Sequence, residues 1–140
     1  MTSNTAAVRG LVITHGELAR GLVDAVRRIT GCEETALISL SNEGIGPEGL
    51  EAAVREMAIE GPTILFTDLP SGSCSFAARK VSVGEDAVVA ICGVNLPLLV
   101  DFVFHREMAL HDLAIRLVEK GKQGIDAFGM ETLEHADRSV

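Results

Sequence analysis

Gly10-Leu11-Val12-Ile13-Thr14-His15-Gly16 is an apolar run that stops on an imidazole. Such a run reads as a buried strand, and a polar ring at its carboxyl end stands where open α/β sheets build their ligand crevices. A second apolar run, Thr63-Ile64-Leu65-Phe66-Thr67, ends in Asp68 and is followed by the turn Leu69-Pro70-Ser71-Gly72-Ser73. Together they predict a histidine, a carboxylate and an anion-binding turn at one sheet edge.

Outward from these strands, Leu18, Leu22, Val26 and Ile29 recur at helical spacing, predicting a first helix that stops near Gly31. Ala36-Leu37-Ile38 reads as a short second strand. Pro47 suits the first position of a helix running to about Glu60, with Leu50, Ala53, Val54 and Met57 on one face. Gly61-Pro62 breaks the chain before the third strand, and a third helix is expected from near Ser73, carrying Phe76, Ala77 and Lys80. Ala87 to Cys92 reads as a fourth strand, apolar on both faces. From Asn95 onward the pattern is helical, with a break near Met108 between the Leu98, Leu99, Phe102, Val103 stretch and the Leu110, Leu113, Ala114, Leu117, Val118 stretch. Strands alternating with helices imply right-handed βαβ units in a single-domain α/β fold. The expected architecture is a doubly wound, mostly parallel sheet of order 2-1-3-4 with helices on both faces.

The 140 residues are expected to form one domain, 1–140, with a core of about 8–128 and a polar tail at 129–140. A hydrophobic content of 47% with five Phe, no Trp and no Tyr describes an aliphatic core, as in parallel sheets covered by helices. The net charge of -8, with no basic cluster beyond Arg27-Arg28 and Arg79-Lys80, argues against a nucleic-acid surface. Cys32, Cys74 and Cys92 form no CxxC pair, and their odd number argues against a disulfide framework, so a reducing cytoplasm is expected. No signal peptide is read at residues 1 to 7, and no apolar segment approaches the roughly 20 residues that span a bilayer.

With strands 1 and 3 adjacent, His15 and Asp68 face one crevice at the topological switch point. A carboxylate accepting Nδ1–H fixes the tautomer and leaves the Nε2 lone pair free to attack phosphorus. Such a bond to a charged group is worth roughly 1.5 to 3 kcal/mol, about one to two decades between tautomers. Phosphoryl transfer otherwise needs in-line positioning and donors for the equatorial oxygens, which helix amino termini after strands 1 and 3 supply. Gly16, Gly72 and Ser73 are the candidate donor positions, and neither a metal nor a cofactor is required.

Three segments, Thr14-His15-Gly16, Asp68-Leu69-Pro70-Ser71-Gly72-Ser73 and Gly93-Val94-Asn95-Leu96-Pro97, together resemble the mannose-family EIIA domain of the bacterial phosphoenolpyruvate-dependent sugar phosphotransferase system. The resemblance implies that His15 accepts a phosphoryl group from the carrier HPr and passes it to an EIIB domain. It also implies that Asp68 orients the ring and that Ser73 is the phosphate-binding hydroxyl opening the third helix. Homodimerisation, often with an exchanged terminal strand, and indirect association with a membrane permease are implied as well. The sequence departs from the family pattern where Pro70, Ser71 and Cys74 replace an aromatic residue, a glycine and a proline.

Other readings stand beside this one. A related subunit that feeds dihydroxyacetone kinase uses similar histidine chemistry, although Gly-Val-Asn-Leu-Pro favours the sugar branch. A regulatory phosphohistidine module without sugar transport is a third reading. Asp68 also suits a turn cap, and serine at position 73 is a common N-cap residue. His105 and His111, six apart, point to different sides of a helix and, with His135, are expected at the surface. Cys74 and Cys92 read as packing residues. Gly44-Ile45-Gly46-Pro47-Glu48-Gly49 spells a dinucleotide fingerprint, but it follows the second strand, expected at the sheet edge, and Pro47 removes an amide donor.

Overall fold

Arg9–Thr14 forms the central strand β1, paired in parallel with β2 (Leu37–Ser41) on one side and β3 (Thr63–Thr67) on the other. A parallel β4 (Val88–Cys92) extends the sheet beyond β3, giving the predicted order β2-β1-β3-β4. The computed structural model describes residues 6–58 and 60–129. The strands are linked by α1 (Leu18–Thr30), α2 (Pro47–Ala58) and α3 (Ser73–Val83), and the fold continues through α4 (Leu96–Phe104) and α5 (Leu110–Gln123).

The chain steps outward from β1 to β2, then crosses back past β1 to β3 and on to β4. Right-handed crossovers made in opposite directions fall on opposite faces. The alternation of β1 shows the result. Val12 packs with Val23 and Val26 of α1 and with Leu99, Phe102 and Leu113 of α4 and α5, whereas Leu11 and Ile13 pack with Leu50, Val54, Ala77 and Val81 of α2 and α3. Gly10 opens the first of these faces. A Cβ there would lie 2.7 Å from Leu37 Cδ1, 2.9 Å from Phe66 and 3.0 Å from Phe102, whose rings meet edge to face at 5.2 Å.

Polar ties fix α4 and α5. Asn95 caps α4 by accepting the Leu98 amide (3.1 Å) and donates to the Gly121 carbonyl (2.8 Å). Arg116 of α5 forks onto Asp101 of α4 through Nε (2.8 Å) and Nη2 (3.0 Å). The Arg116 hydrogen bonds, against some burial and with help from the charges of Arg116, His105 and Lys120, hold the Asp101 carboxyl below its ordinary pKa.

Several sequence expectations shift in detail. The second strand runs from Leu37 to Ser41, past the expected Ile38, because Ser39 and Ser41 are tolerated on an edge strand with a neighbour on one side only. On α1 the buried stripe is Ala19, Val23 and Val26, while Leu18 and Ile29 flank it, 48% and 58% exposed. On β4 only Val88 and Ile91 are fully buried, since it forms the other sheet edge among the described residues, and Cys92 is half-buried rather than packed inside. His105 is half-buried, its Nδ1 2.9 Å from the Asp101 carbonyl, whereas His111 is exposed. His135 and tail residues 130–140 lie outside the described residues. Among the described residues no helix is long and apolar enough to cross a membrane.

Candidate functional site

Because α1 and α3 leave on opposite faces, a crevice opens between the carboxyl ends of β1 and β3. Ile13 pairs with Thr67, so the next residues on each strand, Thr14 with His15 and Asp68, emerge side by side. Residues 53 apart in sequence thereby meet: Asp68 Oδ2 accepts the His15 backbone N–H at 3.0 Å and lies 2.9 Å from His15 Nδ1. The other oxygen, Oδ1, accepts the Leu69 amide at 3.0 Å. Burial raises the Asp68 pKa, but the His15 backbone and ring hydrogen bonds, the His15 charge and the local backbone outweigh it and hold the carboxyl below its ordinary value of 3.8. Asp68 is therefore a carboxylate at neutral pH and an acceptor for Nδ1–H. This favours one tautomer of the neutral ring, with the proton on Nδ1 and the lone pair on Nε2.

The Nε2 edge faces the start of α3. Gly72, the N-cap, has φ +103, and a Cβ there would stand 3.7 Å from Nε2 and 3.6 Å from Cε1. Glycine suits both the left-handed backbone and the close approach. No side chain caps this helix, and its first intrahelical bond runs from the Phe76 amide to the Gly72 carbonyl (2.9 Å). The amides of Ser73, Cys74 and Ser75 precede that bond and have no intrahelical acceptor, which leaves a positive dipole end beside Nε2.

The start of α1 differs. Gly16 makes the turn at φ +57, but the Leu18 amide bonds the His15 carbonyl (3.4 Å) and the Ala19 amide bonds Thr14 Oγ1 (2.6 Å). Of the two helix starts expected to supply donors, α3 is the one left open towards the ring.

The model for the EIIA-man family, described as the PTS system fructose IIA component, matches residues 10–118, a span that takes in both strand ends and both helix starts. The chain belongs to this family. The family's description names a component of the PTS, the phosphotransferase system. Over 129 residues it is 25% identical to the mannose-specific EIIAB component of Escherichia coli K12, covering 88% of this chain but 40% of that relative. The solved EIIA component from Streptococcus agalactiae superposes with a TM-score of 0.80 at 21% identity, over 86% of this chain and 97% of its own. The mannose/sorbose IIA subunit from Enterococcus faecalis does so at 0.77 and 19% identity, over 89% and 97%. At these identities the superpositions establish the shared fold.

This EIIA-man chain holds the loop after β3 with bonds from three further side chains. The Pro70 carbonyl accepts from Ser75 Oγ (3.0 Å) and Arg79 Nη2 (2.8 Å), and Thr67 Oγ1 donates to the Leu69 carbonyl (3.0 Å). Asn42, just beyond β2, donates from Nδ2 to Ser73 Oγ at 3.3 Å. That bond occupies a lone pair of the hydroxyl and leaves the Ser73 proton free to donate elsewhere. The signal for Asn42 was its place at the carboxyl end of a strand, the rule that singled out His15 and Asp68. The Gly44-to-Gly49 motif leads from the edge strand β2 into α2, away from the β1–β3 crevice.

Proposed function

We propose that His15 carries a phosphoryl group on Nε2, received from phospho-HPr and handed to an EIIB domain. The observation that carries this reading is the ring's two-sided environment: Nδ1 sits 2.9 Å from Asp68, and Nε2 faces the uncapped start of α3. The lone pair on Nε2 attacks phosphorus, the bond to the donor's own imidazole nitrogen breaks, and that nitrogen keeps the electron pair. Asp68 stabilises the positive charge that develops on the ring, the Ser73 hydroxyl and the first amides of α3 receive the equatorial oxygens, and Gly16 and Gly72 let the backbone approach. Transfer to EIIB reverses these steps on a new acceptor.

The His15 side chain is 46% exposed, so a donor protein can reach it directly. Leu18, Leu69 and Phe76, on the three segments that frame the ring, are 48%, 52% and 58% exposed and offer an apolar rim for such a partner. The same reading places the protein in the cytoplasm as a homodimer serving a membrane permease. Incubation with phosphoenolpyruvate, enzyme I and HPr, followed by mass spectrometry under non-acidic conditions, should place one acid-labile phosphate on His15 and none on a His15→Ala variant. Labelling that persists in the variant would refute the assignment.

A further inference from the structure

His15 and Asp68 have a third neighbour whose side chain the proposed phosphoryl transfer does not use. Cys74 occupies the second position of α3, its side chain fully buried beneath the crevice. A ring nitrogen of His15, a carboxylate oxygen of Asp68 and Cys74 Sγ all lie within 4.8 Å of one another. Among the described residues this is the only group of three or more His, Cys, Asp or Glu side chains drawn so close. The three come from three segments: the end of β1, the end of β3 and the first turn of α3.

We propose that His15, Asp68 and Cys74 bind a thiophilic divalent cation, Zn2+ being the best match, and that the bound ion silences the imidazole. The chemistry of the set favours zinc. One thiolate, one carboxylate and one neutral imidazole balance a 2+ charge, and three protein ligands leave a fourth tetrahedral position for water on the exposed side of the ring. Binding forms the metal–sulfur bond and releases the Cys74 thiol proton to solvent.

Silencing follows whichever ring nitrogen ligates. A neutral imidazole has one nitrogen lone pair and one N–H. A metal on Nε2 takes the lone pair that would attack phosphorus. A metal on Nδ1 sends the proton to Nε2, with the same result, and also draws Asp68 away from orienting the ring. Metal and phosphoryl group are therefore mutually exclusive. The site itself stands apart from the proposed phosphotransfer; only its consequence for transfer rests on that reading.

The test uses the full chain without phosphotransfer partners. Titration of the metal-free protein with Co2+ should give the sulfur-to-cobalt charge-transfer band and the visible bands of a tetrahedral site, and Zn2+ should displace them. Cys74→Ser and Cys74→Ala should each abolish the charge-transfer band and weaken affinity at least about tenfold, since loss of a ligand costs no less than loss of its supporting bonds. Cys32→Ser and Cys92→Ser should retain the band. Saturating Zn2+ should also suppress diethyl pyrocarbonate modification of His15, while the exposed His111 still reacts. A wild type with no charge-transfer band, a band that survives loss of Cys74, or a His15 that reacts unchanged under Zn2+ overturns the proposal. None of these readouts depends on whether HPr phosphorylates the protein.

Discussion

Between His15 and Asp68, one hydrogen bond of 2.9 Å favours the tautomer that keeps the lone pair on Nε2. Asp68→Asn keeps the shape but lets an amide N–H point at Nδ1, which moves the ring proton to Nε2. A charge-assisted bond on a half-exposed ring sits near the lower end of its range, about 1.5 kcal/mol, so phosphorylation by HPr should slow roughly tenfold or more. Wild-type rates would remove Asp68 from the mechanism. The same carboxylate makes a pH prediction. Its folded pKa lies below the ordinary 3.8, so its contribution to stability is complete above that value and fades only as pH falls through the lower folded one. The stability gap between wild type and Asp68→Asn in urea titrations should be flat from neutral pH to about pH 5 and close only in stronger acid. Both residues were legible because each terminates an apolar strand. Asn42 also follows a strand end, but β2 runs past its expected end at Ile38, and the 3.3 Å contact with Ser73, 31 residues away, is not encoded in local sequence.

At the scale of elements, β1 sits between β2 and β3, and its two faces look into the two halves of the core. Gly10 lets Phe66 and Phe102 close over it, and a methyl group placed there meets three carbons at 2.7 to 3.0 Å. Gly10→Ala should cost about 1–3 kcal/mol in denaturant titrations, the range for overpacking a tight core. An unchanged midpoint would mean that the rings yield freely. Strand order and helix placement were readable because βα alternation and right-handed crossovers leave few arrangements. The edges were harder to read. Ser39 and Ser41 disguise the end of β2 as loop, and the apolar Leu18 and Ile29 disguise the buried stripe of α1, because exposure at an edge or helix flank relaxes the pattern that burial enforces.

At the scale of the whole molecule, the outer edge of β4 has no partner strand among the described residues, and Phe104 of α4, Ile115 of α5, and Ile125 and Phe128 after α5 are 65%, 68%, 77% and 82% exposed. An open edge with apolar neighbours invites a second copy. Light scattering should therefore give twice the 14.8 kDa chain mass, against the repulsion of a net charge of -8 on each protomer. A monomer at micromolar concentration would refute the dimer. Composition foretold the aliphatic core but not these exposed apolar residues, whose exposure is set only once α4 and α5 have packed.

The crossing of the chain back past β1 also sets a timetable for synthesis. His15 leaves the ribosome ahead of Asp68, whose oxygen meets its ring, and of residues 73–83, whose helix start it faces. A nascent chain therefore displays an idle imidazole until β3 has slotted in beside its first strand. If His15 is the phosphoryl acceptor proposed above, an unfinished or misassembled copy cannot be charged.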